Sequence, residues 1–463
     1  VDRGNFYGSV NDYEHVQANM FTFKFEHDLS DSTTVRNISR YGRNTLERTI
    51  TGINAITVPT AGTGTALVVA PRSLWTLSRS RQYRNELNEI LTNQSNLTSV
   101  FNTGGLQHSL STGVEFIYER QLSLGATAIG TTPAASLDNP DATVAMAQFA
   151  KNGAATDGKT LTGAAYLFDT VRFNEQWSIN AGVRFDRYRT ETSTIPATST
   201  PPAASTFIKG DGDLLTGKVG LVFKPVENGS IYVAIASSEQ PPGGANFTLN
   251  SGATNIANPN LDPQKARNIE IGTKWELLDN RLVVTGAAFD TRNKNDLAQQ
   301  DPATGEVTQY GERQVRGFEL SASGMLTANW QVSAGFASLD TEVKEGTATT
   351  TGAQLTFTPK LTFTSWTTYT FPFGLKIGGG ARYTDSQFRN GNATQAAQTN
   401  LAMSPSAWVF DAMAGFEVND HVSLQLNANN VTDKFYLNSL NNGGSRFVLG
   451  APRTIMLSAI LTK

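Results

Sequence analysis

The residue types that usually carry chemistry are present in this 463-residue chain, but not in constellations that work together. The four histidines, His15, His27, His108 and His421, stand singly, with no pair at metal-ligand spacing and no cysteine to join them. Asp211-Gly212-Asp213 and Asp279-Asn280 put oxygen ligands in turn contexts, but neither supplies the ligand series of a calcium loop, so turn formation is the better reading. No glycine-rich stretch follows a strand and opens a helix as a phosphate cradle would. Glu270 and Glu276 share a parity that turns both toward a wet interior. The sequence therefore predicts no catalytic residue and no intrinsic metal or cofactor. What remains is non-covalent binding by arginines, tyrosines and amides, and its feasibility depends on what positions those side chains.

The positioning element is a two-residue alternation that runs the length of the chain. Ser178-Ile179-Asn180-Ala181-Gly182-Val183-Arg184-Phe185-Asp186 and His421-Val422-Ser423-Leu424-Gln425-Leu426-Asn427-Ala428-Asn429 are clean examples. Successive side chains of a strand point to opposite faces, so one face is apolar and the other holds Arg, Asp, Asn, Gln and Gly. That is a sheet with lipid on one side and water on the other. Hydrophobic residues make up 39% and charged residues 17%, yet no stretch reaches the roughly eighteen consecutive apolar residues of a membrane helix. The absence of cysteine together with 41 glycines and 25 phenylalanines suits an all-β protein that needs no disulfides, although cysteine usage is a weak indicator. A net charge of -3 without a basic tract argues against a nucleic-acid partner. No leader is seen at Val1, so the mature N-terminus is expected to lie elsewhere.

Two kinds of connection alternate. Short turns are built at Asp31-Ser32, Asn174-Glu175, Glu227-Asn228-Gly229-Ser230, Asp279-Asn280, Ala328-Asn329, Pro372-Phe373-Gly374 and Asn419-Asp420. Long loops rich in Gly, Ala, Thr, Ser, Asn and Pro are expected over 52–71, 125–159, 194–209, 237–262, 343–356 and 389–404. Short turns on one rim and long loops on the other is the asymmetry of an outer-membrane barrel, periplasmic turns against extracellular loops. A cation on the lipid face costs roughly 2–4 kcal/mol at mid-membrane, so the charged parity should face the lumen. Phe21, Phe23 and Phe25 then face lipid and Thr22, Lys24 and Glu26 face inward. Trp177, Trp275, Trp330 and Phe371 fall beside short turns, where an interfacial girdle would sit. A sandwich with buried hydrophobes is the competing reading, and inward charge repeats on too many strands for it.

Counting gives about seventeen strands, the first (16–29) and last (453–463) running the same way. Antiparallel closure needs oppositely directed neighbours at the seam, so an odd number of further strands, or another segment, is expected to complete the ring.

Several motifs carry a resemblance. The run Asn258-Pro259-Asn260-Leu261-Asp262-Pro263-Gln264-Lys265-Ala266-Arg267-Asn268-Ile269-Glu270-Ile271-Gly272-Thr273-Lys274-Trp275 and the C-terminal Asn429-Asn430-Val431-Thr432-Asp433-Lys434-Phe435-Tyr436 with Gly450-Ala451-Pro452-Arg453-Thr454 resemble TonB-dependent outer-membrane receptors. Asp2-Arg3-Gly4-Asn5-Phe6-Tyr7-Gly8 and Arg36-Asn37-Ile38-Ser39-Arg40-Tyr41-Gly42-Arg43 are similar to the subgroup that takes up catecholate-type ferric siderophores. The resemblance implies a transmembrane antiparallel β-barrel of about 22 strands, of which residues 1–463 would be the C-terminal portion. The plug domain and first strands would lie outside this sequence. It also implies a monomer in the outer membrane of a Gram-negative bacterium, surrounded by outer-membrane lipid and lipopolysaccharide. Iron would arrive inside its siderophore, and uptake would be energised by the TonB-ExbB-ExbD complex through the N-terminal region.

A ferric catecholate is large, anionic and aromatic, so such a receptor wants cations and aromatics converging at the extracellular mouth. The candidates at extracellular strand ends are Arg43, Arg79, Arg81, Tyr83, Arg382, Gln387, Arg389, Tyr436 and Asn438. Each arginine could instead close a lumen salt bridge with Glu86, Glu89, Asp186 or Glu417. The loop Gln240-Pro241-Pro242-Gly243-Gly244-Ala245-Asn246 suits a fixed turn at the mouth. A passive porin is the alternative function and would normally lack these motifs, whereas an adhesin or autotransporter barrel would have far fewer strands.

Overall fold

The computed structural model describes residues 4–61, 68–199, 203–244, 247–300, 307–389, 403–440 and 447–462. Asp2, Arg3, Ala245, Asn246, Lys463 and most of the expected loop 389–404 lie outside the described residues. The dominant element is an 18-stranded sheet, one member of which, Ala135–Ser136, is two residues long. The other seventeen are β1 (Tyr13–Ser30), β2 (Thr33–Thr57), β3 (Thr76–Thr103), β4 (Leu106–Ile129), β5 (Gln148–Arg172), β6 (Trp177–Ile195), β7 (Thr206–Val226), β8 (Gly229–Gln240) and β9 (Gln264–Leu277). There follow β10 (Leu282–Gln300), β11 (Val307–Thr327), β12 (Trp330–Glu345), β13 (Leu361–Thr370), β14 (Leu375–Thr384), β15 (Ala407–Asn419), β16 (Val422–Asn429) and β17 (Thr454–Leu461). Each is antiparallel to the next, and β1 and β17 are the sheet's two edges, with no pairing between them. Arg72–Leu74 is a three-residue 3-10 turn.

Alternation fixes which face is which. Phe21 is 68% exposed, Ile271 53%, and Val114, Val183, Phe185, Leu221, Val233 and Leu320 are exposed on the same face. On the opposite face Arg184 reaches Glu115 at 2.7 Å and Asp186 at 2.7 Å, and the Tyr232 hydroxyl donates to Glu270 at 2.5 Å. There is no dry centre between two layers. Of the buried apolar side chains, Leu77, Ala135, Leu137, Met146, Ala147, Leu249 and Ala353 sit under the long loops or at strand ends beside them, while Ala164 and Leu214 lie within strands. At the short-turn rim Trp177 stacks on Phe223 at 4.4 Å, and Phe371 meets Tyr369 at 4.9 Å. A second aromatic cluster, not anticipated from sequence, lies at the long-loop ends of β13–β15: Trp408 meets Tyr383 at 4.9 Å and Phe363 at 5.9 Å. The two clusters bracket the exposed apolar surface as interfacial girdles bracket a hydrocarbon band.

Two departures from the sequence reading concern lengths. Much of 52–71 and 125–159, expected as loop, is strand: β2 continues to Thr57, β4 to Ile129, and β5 begins at Gln148. Register shifts between Ile53 and Ala55 and between Leu124 and Ala126 let the ladder carry on past the apolar band. Above that band no face needs to be apolar, so the period-2 signal fades while backbone pairing persists. The Gly104-Gly105 turn between β3 and β4 was also not anticipated.

The apolar face carries one polar island. Asn37 and Ser39 of β2 and Asn93 and Ser95 of β3 share a face with Phe23 and Phe25. Asn37 donates to Ser95 at 2.8 Å and Asn93 to Ser39 at 2.8 Å, and the two amides exchange donors at 3.2 Å. Bonding one another lowers the cost of placing these four polar side chains beside apolar neighbours.

Ile271→Lys, on the exposed apolar face of β9, should cost about 2–4 kcal/mol of folded stability in a bilayer, whereas Thr285→Lys on the opposite face of β10 should cost under about 1 kcal/mol. Urea unfolding in liposomes, read by heat-modifiable electrophoretic mobility, measures both. Equal costs would contradict the facing.

Candidate functional site

The C-terminal motif builds the site from its base. Asn430 is 2% exposed with φ 51°, a left-handed conformation that Asn tolerates well. Its side-chain amide donates to the carbonyls of Lys434 and Ala451, both at 2.9 Å, and its side-chain oxygen accepts from the Lys434 N–H at 2.8 Å. The segment after β16 is thereby closed on itself and tied to the residues that lead into β17. The Asn430 N–H donates to Asp411 of β15 at 2.8 Å, and the same carboxylate holds the Arg382 guanidinium of β14 at 3.1 Å. Gly450 donates its N–H to the Tyr436 carbonyl at 2.9 Å, and a Cβ there would stand 2.0 Å from the Tyr436 ring. Glycine at 450 thus lets the phenol lie against the backbone.

The result is a concave site of about 260 Å³ at the long-loop ends of β13–β15, where Arg382, Gln387, Tyr436 and Asn438 converge. Thr362, Thr364, Thr384, Asp385 and Ser404 add to its polar lining. Gln387 is set by the two-residue pairing of Gln387–Phe388 with Met403–Ser404, and the Ser404 hydroxyl donates to the Leu437 carbonyl at 3.2 Å. Arg382 keeps 52% of its side chain exposed despite its Asp411 partner, so its remaining N–H donors are accessible. A guanidinium, a phenol, amides and hydroxyls in one concavity suit an oxygen-rich anionic ligand.

The other five candidates stand apart from this cavity. Arg79 is buried and donates to the carbonyls of Pro133 at 2.9 Å and Tyr7 at 3.3 Å. Arg81, 2% exposed, pairs with Asp12, whose carboxylate also accepts from the Thr51 hydroxyl at 2.9 Å and the Thr51 N–H at 3.1 Å. Both arginines tie the segment before β1 to the rim, through partners that are not among the four carboxylates considered from sequence. Tyr83 stacks on Phe149 at 5.2 Å. Arg43 is exposed on the face it shares with Tyr41 and the β1 phenylalanines, opposite Glu89, and so points away from the mouth. Arg389 follows Phe388 and does not line the cavity. The carboxylate holding Arg382 is Asp411, not Glu417. Sequence reasoning missed Asp411, Asn430 and the threonines; the motif containing Asn430 was the available signal, and its physical role was not readable from it.

The other long loop of note folds against the wall. Gly243 has φ 89°, which favours glycine, and farther along the loop the Leu249 N–H donates to the Thr192 hydroxyl at 2.8 Å, covering β6. Asn258 braces this loop through the Gly252 carbonyl at 3.1 Å. In the loop between β4 and β5, the Thr143 hydroxyl and N–H both donate to Asp141, holding its carboxyl below the usual range. Among the described residues no group of three or more His, Cys, Asp or Glu is placed to hold a metal ion.

With this geometry in view, comparisons with known proteins place the chain. Residues 1–431 match the family model described as TonB dependent receptor-like, beta-barrel. The chain is 37% identical to the catecholate siderophore receptor Fiu of Escherichia coli K12, over 99% of its own length and 61% of that protein. It is 32% identical to the probable TonB-dependent siderophore receptor PiuA of Acinetobacter baumannii, over 94% of its length and 60% of that protein. It superposes on the crystal structure of the ferric-catecholate import receptor Fiu from E. coli K12, closed form, with a TM-score of 0.89 at 35% identity, covering 99% of this chain and 65% of that one. The chain thus spans about three-fifths of the length of these curated relatives.

Asn430→Ala removes two donors and an acceptor and leaves the Lys434 and Ala451 carbonyls unpaired, at a cost of about 2–4 kcal/mol. The expected outcome is a lower unfolding midpoint for N430A and no change for Asn438→Ala, compared by thermal melts of the folded protein in detergent; equal midpoints for N430A and wild type would contradict the bracing role.

Proposed function

This chain belongs to the TonB-dependent receptor β-barrel family, and on that premise we propose that it forms the wall and ligand-capturing mouth of an outer-membrane importer of ferric catecholate siderophores. The observation that carries the reading is the convergence of Arg382, Gln387, Tyr436 and Asn438 in one concavity at the long-loop rim, in a chain 37% identical to a protein named for catecholate siderophores. A passive porin fits less well, because both quoted relatives are named as siderophore receptors.

The architecture follows from the edges of the sheet. β1 and β17 run in the same direction and each has one neighbour, so neither can close on the other antiparallel. Five more strands from the remainder of the protein would complete a ring of about 22. A lumen that wide is not filled by wall side chains and needs a plug to remain impermeable. In the proposed cycle the ferric siderophore binds by its anionic oxygens at Arg382 and by stacking near Tyr436. Iron is cargo carried inside the chelator, not a resident cofactor. The outer membrane holds no ion gradient of its own, so the TonB-ExbB-ExbD complex would supply the work by pulling on the plug. The setting would be the Gram-negative outer membrane, with a single copy of the receptor sufficing.

Full-length receptor expressed in cells lacking other catecholate receptors should import radiolabelled ferric catecholate, and import should stop when TonB is removed. Arg382→Gln, which spares the bracing of Asp411 by Asn430, should weaken ferric-catecholate binding about tenfold or more, as loss of a charged hydrogen bond does. Equal uptake of ferric hydroxamates, or uptake independent of TonB, would overturn the assignment.

A further inference from the structure

The concavity at the long-loop rim carries a charge that the capture of an anion does not explain. Its lining includes two charged side chains of opposite sign, Arg382 and Asp385. Arg382 is already matched by Asp411 at 3.1 Å. Asp385 has no cation partner among the described residues and accepts only from the Ser386 N–H at 2.7 Å and the Tyr383 hydroxyl at 3.3 Å. One positive charge thus stands against two negative ones, Asp411 and Asp385, and the excess lies at Asp385.

Carboxylates at other long-loop strand ends are placed differently. Asp12 pairs with Arg81, and Asp296 with Arg313. Glu239 meets Lys265 of β9 at 3.4 Å, and Glu312 meets Arg292 and Lys294 of β10, each at 3.2 Å. Local hydrogen bonding does not account for the exception, because an asparagine would accept the same two bonds without a charge. What the aspartate adds is the charge itself, beside a guanidinium that attracts anions.

Spacing indicates what would use both groups. The Asp385 N–H is tied to the Leu361 carbonyl at 2.9 Å, which fixes the residue just past the end of β14 and three positions beyond Arg382. Three extended residues span at most about 11 Å. The volume of about 260 Å³ is below the roughly 300–1,000 Å³ of pockets that enclose a drug-sized molecule, so the concavity takes one arm of a chelate and not the whole. That arm must then meet both charges, with anionic oxygen at Arg382 and a cation at Asp385. A protonated aliphatic amine supplies the cation together with the hydrogen-bond donors that a carboxylate accepts. An arm that is anionic throughout gains at Arg382 and is repelled at Asp385.

We propose that Asp385 makes this mouth selective for ferric catecholates whose arms carry a protonated amine, pairing with that ammonium while Arg382 holds the anionic oxygens. The inference rests on the catecholate reading above and adds to it the charge pattern of the ligand.

The test measures equilibrium binding of two ferric complexes to full-length receptor in mild detergent at neutral pH, by quenching of intrinsic fluorescence. One chelator is spermidine carrying a catechol amide on each terminal amine, with its central amine free; in the other that amine is acetylated. Wild type should bind the free-amine complex about tenfold more tightly, as a hydrogen bond between charged groups contributes. Asp385→Asn should bind both alike and melt at the wild-type temperature, because its side-chain oxygen still accepts from Ser386 and Tyr383. Asp385→Glu should retain part of the preference. Arg382→Gln should weaken both complexes and keep their ratio. Equal binding of the two complexes by wild type, or an undiminished preference in Asp385→Asn, would overturn the proposal. An Asp385-dependent preference for free-amine over acetylated ferric hydroxamates, with neither catecholate bound, would support the amine pairing and count against the catecholate reading alone.

Discussion

Backbone hydrogen bonding is the constraint from which this structure follows. A chain crossing hydrocarbon has no water to satisfy its N–H and C=O groups, so each must find a partner in the protein, and strands do so only through their neighbours. Here that requirement is met by an unbroken antiparallel ladder from β1 to β17, in which every long strand pairs with the next in sequence. Sequential hairpins then force short turns and long loops onto opposite rims. The two edges of that ladder, β1 and β17, each have one neighbour among the described strands.

Given that ladder, side chains have only two directions to point, and the energetics of each face sort them. Charge collects inward, as in the Arg184–Glu115–Asp186 cluster, and large apolar groups collect outward. Exceptions are resolved locally. The Asn37–Ser39–Asn93–Ser95 island satisfies much of its own bonding capacity. Outward charges such as Arg187 with Asp213, and the β9–β10 cations, lie farther toward the long-loop rim than the outward Val183, Phe185 and Leu215, and Ile269 and Ile271, of their own strands. The concavity at the long-loop rim uses a different device, the Asn430–Asp411–Arg382 chain, which transmits the position of the last loop to a cation on β14.

Much of this could be read from the sequence because a period of two is simple and repeated. The facing of Phe21, Phe23 and Phe25 and the short turns other than Gly104-Gly105 follow from alternation and turn chemistry. Strand ends were less legible: above the apolar band polar and small residues occupy both faces, so β4 and β5 run through a stretch that reads as loop. The site was legible only in part. Arg382, Gln387, Tyr436 and Asn438 come together as strand-end placement suggested, but Arg79 and Arg81 are captured by Tyr7, Pro133 and Asp12, which lie some 54 to 72 residues away in sequence. Nothing in a local pattern announces such partners. Arg43 was misplaced for a simpler reason, because proximity to a rim does not specify a face, and parity puts it outward with Tyr41.

The central claim is that one face of this ladder meets lipid and the other meets water. The chain contains no cysteine, so single cysteines introduced along β9 from Asn268 to Lys274 can be spin-labelled without background. In bilayers, collision with molecular oxygen should be greatest at Ile269, Ile271 and Thr273. Collision with a water-soluble nickel chelate should be greatest at Asn268, Glu270, Gly272 and Lys274, with a period of two and opposite phase. Profiles in phase with each other, or without that period, would contradict the account.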